Sequence, residues 1–329
     1  MSLIEKDKIK TLTIEATSYC NLHCPQCPRF DEDGFLMKGL DLAHLQFEIF
    51  CQAIKPGTFS NLKYIVFEGD HGDVVMHPDA KKMFEYCSTI ASVKAVTNGS
   101  LRNSQWWADL AKIKNLTVVF SIDGLKDTNH LYRINSDWDK IIENSQAYIN
   151  NGGQAEWKFI VFKHNQHQIE TAKKLSQDMG FTEFSTQSSN RNFFGSKTWP
   201  VKVEGNFLYN LEMTDLISDY SIKTHVHTEK IYKNQEFVSP TCQWAVYRNL
   251  YLNFKGHLLP CCMTSNKTWR DDISSRLWLR LLGNIDDIDI SKRTIDQILD
   301  SEFYRFRLEN SFRDKKRVHH ICVANCTNK

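Results

Sequence analysis

The sequence predicts an α/β protein: a partial (β/α)6 TIM-like barrel followed by a smaller C-terminal cysteine-rich domain. Three observations lead there. Short β-type segments alternate with helical ones six times between Thr11 and Thr186, the rhythm stops near residue 190, and the cysteines return from Cys242 onward. Strands alternating with helices pair in parallel through right-handed crossovers. Six such units make most of a barrel, whose site lies at the carboxyl ends of its strands.

Residues 11–16 alternate apolar and polar side chains and form the first strand. Asp41 is expected to cap a helix on which Leu42, Leu45, Ile49 and Ala53 recur at helical spacing. Residues 63–67 read as the second strand. Pro78 opens a helix with Met83, Cys87 and Ile90 on one face, and residues 93–97 make the third strand. Helix 103–113, strand 116–121, helix 138–149, strand 157–162, helix 168–179 and strand 182–186 complete the barrel. Residues 196–235 lack a clear period and are expected to bridge a barrel of residues 1–195 to a second domain of residues 236–329.

The 329 residues, 41% of them hydrophobic, suffice for one large core and a satellite domain. A net charge of +2 with both signs interspersed gives no argument for a nucleic-acid partner or an anionic membrane. The first ten residues carry charges where a signal peptide needs an apolar run, and no stretch approaches the length of a membrane span. A cytoplasmic location is the expectation. In that reducing compartment ten cysteines point to metal ligation rather than disulfides.

Directly after the first strand, Cys20, Cys24 and Cys27 stand in a C-x3-C-x2-C spacing. Three thiolates on a short loop hold one iron cluster and leave one iron open to a small molecule, unlike four-thiolate electron carriers and closed zinc sites. With Asn21 after the first cysteine, and Pro28 and Arg29 after the third, the loop resembles the cluster loop of radical S-adenosylmethionine (SAM) enzymes. That resemblance implies a 4Fe-4S cluster whose open iron chelates the amino and carboxylate groups of SAM. It also implies reductive cleavage of SAM to methionine and a 5′-deoxyadenosyl radical, with an external one-electron reductant such as flavodoxin or ferredoxin.

After the second strand, the glycines in the run from Phe67 to Asp73 let backbone approach a ligand closely. In the radical SAM family a Gly-Gly-Glu-Pro segment here holds the SAM amino group. This chain departs from it by an inserted residue and by Val74 in place of proline, and the resemblance implies roles for Gly72 and Asp73. Asn98, Ser121 and Asp123 end the third and fourth strands in ordinary turn chemistry. The resemblance turns them toward the SAM ribose and carboxylate. Arg133 is similar to an arginine that follows the fourth strand in relatives, where it would pair with the SAM carboxylate; Asn165 is a further candidate. Cys51 and Cys87 fall at helical core spacing and are assigned to packing.

Toward the C-terminus stand Cys242, Gly256, the pair Cys261-Cys262, Gly283, and Cys322 with Cys326. Their order resembles the SPASM or twitch extension of radical SAM enzymes, which implies a second, auxiliary 4Fe-4S cluster. The expected ligands are Cys242, Cys261, Cys322 and Cys326, with Cys262 as the alternative to Cys261. Spacing alone does not separate an iron cluster from a structural zinc ion on the same thiolates, so a non-enzymatic zinc-binding adaptor is the competing reading. His319 and His320 are expected to be polar loop residues, and 313–317 a solvated basic run. The resemblance further implies hydrogen abstraction and oxidative modification of a small molecule or a partner-delivered peptide. A peptide-modifying maturase is the alternative within the class. Such maturases often carry an N-terminal peptide-binding domain, whereas about ten residues precede the first strand here.

Overall fold

The computed structural model describes residues 3–189, 196–216, 239–314 and 317–326. Strands β1 (Thr11–Ile14), β2 (Tyr64–Phe67), β3 (Ser92–Thr97), β4 (Leu116–Ser121), β5 (Gln154–Val161) and β6 (Glu183–Ser188) lie side by side in chain order. All five neighbouring pairs are parallel. The connections between them carry α1 (Phe47–Ala53), α2 (Ala80–Ser88), α3 (Ser104–Leu110), α4 (Asn129–Tyr132), α5 (Trp138–Asn150) and α6 (Ile169–Met179). The expected partial barrel is therefore present, a mostly parallel sheet backed by helices.

Alternation along the strands decides what faces the helices and what faces inward. On β5, Trp157, Phe159 and Val161 are buried, and the Trp157 ring stands 6.3 Å from Trp138 of α5 and 5.3 Å from Phe181. Lys158 and Ile160, between them, line a cavity. On β4, Phe120 likewise meets Trp107 of α3 at 5.2 Å. Truncating Trp157 to alanine removes a fully buried ring from this layer and is expected to cost about 3–5 kcal/mol of stability. The shift of the urea midpoint measures it, and a loss below about 1 kcal/mol would contradict the packing argument.

Two sequence expectations are corrected. Asp41 caps no helix: α1 starts at Phe47, and residues 43–45 run back along the first loop. Ser18 donates its N–H to the Ala43 carbonyl (3.0 Å), and Leu45 donates to that of Ala16 (2.8 Å). This long-range pairing outweighs the helical spacing of Leu42, which is left exposed. Second, residues 198–212, expected to lack regular structure, form an antiparallel hairpin of β7 (Thr198–Val203) and β8 (Asn206–Glu212). Its Val201 and Leu211 pack with Tyr132 and Phe162 in a small separate core. Residues 217–235, the remainder of the expected bridge, lie outside the described residues.

The C-terminal part joins the sheet. β9 (Asn249–Leu252) pairs in parallel with β1, and β10 (Leu258–Leu259) folds back antiparallel on β9. The eight-stranded order is β10-β9-β1-β2-β3-β4-β5-β6. Covering the edge of β1 buries Leu250, Tyr251 and Leu252 and removes an open row of backbone donors and acceptors. One contiguous core then runs from Leu12 and Phe120 to Trp278, Ile298 and Tyr304, across the boundary expected at residue 236. Among the described residues no helix is long and apolar enough to cross a membrane.

Candidate functional site

At the carboxyl ends of β1–β6 the loops enclose a cavity of about 300 Å3. Cys20, Cys24 and Cys27 all line it, together with Gly72, Asp73, Asn98, Ser121 and Arg133. The loop carrying the thiols is locked in place by Arg29, which the sequence marks only by its place after the third cysteine. Its buried guanidinium donates from Nη1 to the carbonyls of Ser18 and His71, tying the first loop to the second. Burial, then Asp73 and Cys24, pushes the Cys20 thiol up to about 12. Burial likewise pushes Cys24 up to about 12, with Arg133 opposing and Cys27 reinforcing. Thiols so enclosed stay protonated unless a cation compensates the thiolate, and iron does so by coordination.

The polar residues at the strand ends divide into two kinds. Asp73 is enclosed, and its carboxylate is saturated by the Val75 N–H (3.0 Å), the Thr97 hydroxyl (2.9 Å), and the Asn98 N–H (2.8 Å) and side-chain amide (2.6 Å). Asn98 in turn donates to Asn21 (3.0 Å) and accepts from Ser100. These two residues therefore organise the ends of β2 and β3 rather than offering open valences. Asp123, expected at the ligand, is fully buried behind the cavity wall, where it binds Arg133 Nε at 2.6 Å and the Ile160 N–H at 2.5 Å. Asn165 stiffens the same corner, donating to the Asp123 carbonyl at 2.8 Å. Burial works against the Arg133 charge, but Asp123 and the Cys24 sulfur hold the guanidinium protonated. Arg133 and Ser121 are the predicted residues that line the cavity without such saturation; Lys158 joins them and was missed. Its signal was a lysine on the inward phase of the expected strand 157–162, whose other residues are apolar.

Gly72 is required for a steric reason. A Cβ there would sit 1.9 Å from the Thr17 carbonyl oxygen, so only glycine lets the second loop close on the first. A further pair was also missed. Glu15 and His71 are both buried, Nδ1 to Oε1 at 2.9 Å, and the Ser265 hydroxyl donates to the same carboxylate at 3.3 Å. Burial disfavours the imidazolium, but the Glu15 charge prevails and raises the His71 pKa. A glutamate at the buried end of β1 was the available signal.

The C-terminal cysteines converge from three segments. Cys322 and Cys326 stand one turn apart on the helix His320–Cys326, hence on one face. Cys242 precedes the helix Gln243–Val246, and Thr241 donates its N–H to the Cys326 carbonyl at 2.9 Å. Cys261 is extended (φ −164°, ψ 164°) ahead of the 3-10 run Cys262–Thr268, so the adjacent side chains diverge. Burial first, and then Cys322, Cys242 and Cys326, pushes the Cys261 thiol far up, which places these four sulfurs within electrostatic reach of one another. Cys262 instead lines a second cavity, of about 440 Å3, beside the first. Among the described residues no three His, Cys, Asp or Glu side chains gather around a single-ion position. His319 is not a loop residue on the surface: it is buried, its Nε2 2.9 Å from the Ser274 carbonyl and its ring edge-on to Trp278. Cys87 is fully buried in the core and Cys51 packs against it. Of the basic run, residues 315 and 316 lie outside the described residues.

Residues 242–327 match the model of the SPASM family, an iron-sulfur cluster-binding domain. No curated protein matches the chain significantly. The chain is similar to the crystal structure of Streptococcus suis SuiB bound to S-adenosylmethionine, with a TM-score of 0.54 and 16% identity over 82% of this chain and 65% of that one. It is similar also to SuiB bound to precursor peptide SuiA, at 0.57 and 14% over 90% and 66%. Native anSMEcpe with bound AdoMet matches at 0.54 and 15% over 96% and 88%. The chain thus spans about two thirds of the length of the SuiB chains.

Proposed function

We propose that this chain, which has the fold of the radical SAM enzymes and ends in an SPASM iron-sulfur cluster-binding domain, reductively cleaves SAM and uses the product radical to oxidise a substrate. The observation that carries this reading is the convergence of Cys20, Cys24 and Cys27 on one cavity lined also by Arg133, Ser121 and Lys158. Three thiols suit a 4Fe-4S cluster with one open iron, and the cationic and hydroxyl groups suit the carboxylate and ribose of SAM. Cys242, Cys261, Cys322 and Cys326 suit a second, fully ligated cluster. When bound, these groups supply a 5′-deoxyadenosyl radical and a sink for one electron.

What the chain itself does is position and enclose. Arg29 and Gly72 clamp the cluster loop against the second loop, Asp73 and Asn98 fix the ends of β2 and β3, and Asp123 aims Arg133. The substrate is a small molecule or a peptide delivered by a partner, and an external one-electron donor completes the cycle. Anaerobically purified protein should be brown and, given dithionite and SAM, should release 5′-deoxyadenosine. Colourless, zinc-loaded protein would instead establish the adaptor reading.

Asp123 gives a sharper test. Replacing it by Asn leaves a buried guanidinium without its counterion, and SAM affinity is expected to fall about tenfold or more while both clusters stay in place. Calorimetric titration with SAM reads this, and an unchanged affinity would leave Arg133 without a role in binding.

A further inference from the structure

We propose that the second cavity binds the substrate through a carboxylate, anchored by Arg270 with Gln26 as a second donor. This names the substrate class for the oxidation proposed above and rests on that reading for calling the ligand a substrate. The cavity, about 440 Å3, lies between the cluster loop, the β7–β8 hairpin and the segment after Cys262. It adjoins the first cavity, sharing Cys24, Cys27 and His71 with it.

Arg270 is half-buried, and its guanidinium donates from Nη2 to the Pro28 carbonyl at 3.3 Å. Its Nε is buried with no hydrogen-bond partner; the guanidinium lies 5.4 Å from the Trp269 ring centroid, and Asp272 acts on its charge without a direct ion pair among the described residues. Of the other enclosed cations, Arg133 pairs with Asp123 at 2.6 Å and Lys267 with Asp272 at 3.8 Å, while Arg29 donates to the carbonyls of Ser18 and His71. Asp272 is further engaged by the Ser275 N–H at 2.6 Å. A guanidinium taken out of water without an anion is costly, and a bound carboxylate matches its planar fork.

Gln26 adds an independent observation. It is 6% exposed, and its backbone is left-handed (φ 63°), a conformation that non-glycine residues rarely hold without a compensating role. The Ser189 hydroxyl donates to its Oε1 at 3.3 Å, which leaves the buried Nε2 amide hydrogens unpartnered. Both residues line the one cavity and each carries an unfilled donor, which an anionic oxygen ligand would satisfy. Asp31, Glu32 and Asp70 line the same cavity, and the one lysine there, Lys202, is paired with Asp33 at 2.7 Å. Such a wall favours a monoanionic carboxylate over a phosphate dianion.

The test is binding to the anaerobically reconstituted, SAM-saturated protein, followed by ligand-observed NMR titration. The probes are N-acetylalanine, its uncharged amide and inorganic phosphate. The carboxylate should bind saturably and about tenfold or more tighter than the amide, the contrast expected for a charge-assisted pair, and tighter than phosphate. Arg270→Gln should reduce the carboxylate to the amide's affinity, Arg270→Lys should restore part of it, and Gln26→Leu should weaken it. Variants are read where iron content and melting temperature match the parent. Should both Arg270 variants lose iron, the carboxylate–amide contrast in the parent and the Gln26→Leu variant decide. Equal affinity for acid and amide, no saturable binding of the acid, tighter binding of phosphate, or undiminished binding by Arg270→Gln would each overturn the proposal. Failure to form 5′-deoxyadenosine would overturn the proposed reaction but not a measured carboxylate site.

Discussion

Alanine at Cys20, Cys24 and Cys27 together should abolish 5′-deoxyadenosine formation and remove about half of the bound iron, one of two 4Fe-4S clusters. These three are the only cysteines lining the first cavity among the described residues, so no neighbouring thiol can substitute within it. The fold should survive, because the loop is held by Arg29 and by backbone pairing to residues 43–45 rather than by the sulfurs. Far-ultraviolet circular dichroism and iron analysis report the first two outcomes, and chromatography with mass detection reports the nucleoside. Cleavage at the parent rate would disprove the assignment of these thiols.

The Cys322→Ala/Cys326→Ala variant should have the opposite profile. It should also lose about half of its iron, but 5′-deoxyadenosine should still form, because the first cavity is untouched. The loss should be structurally expensive. The helix His320–Cys326, the turn before Gln243 and the Cys261 segment come from distant parts of the chain, and a metal centre gathering them contributes folding energy directly. A fall in melting temperature on the order of 10 °C corresponds to a few kcal/mol in a chain of this size. Once a substrate is known, its oxidation should stall in this variant despite continued SAM cleavage; full product yield without the second cluster would leave that cluster a purely structural role. Cys262→Ala should leave iron content unchanged, since Cys262 lines the other cavity, and iron loss there would exchange the roles of the two adjacent cysteines.

The legibility of the sequence was uneven for physical reasons. Strand β4 was bounded correctly at Leu116 and Ser121 because alternation and flanking turns are local signals. The start of α1 was not, because its competitor was a backbone pairing to Ser18, more than twenty residues away. At the site, the thiols of the first loop are neighbours in sequence and could be read as a set. Asp123 was read as a ligand contact because its position at a strand end is local, whereas the salt bridge that occupies it comes from Arg133 on a later turn.

By itself, then, the sequence determined the β-α rhythm and the spacing of the three thiols on the first loop, both carried by separations of a few residues, and the order of the C-terminal cysteines. Only the tertiary structure decided that β9 completes the sheet beside β1, that Cys262 lines the second cavity while Cys261 lies within electrostatic reach of Cys242, Cys322 and Cys326, and that Arg270 is half-buried against the first loop. Those outcomes depend on which edge a strand covers and which way an extended residue turns its neighbours. Both are settled by burial and pairing between segments distant in sequence, from 19 residues between Cys242 and Cys261 to more than two hundred between β1 and β9, where no local pattern carries the information.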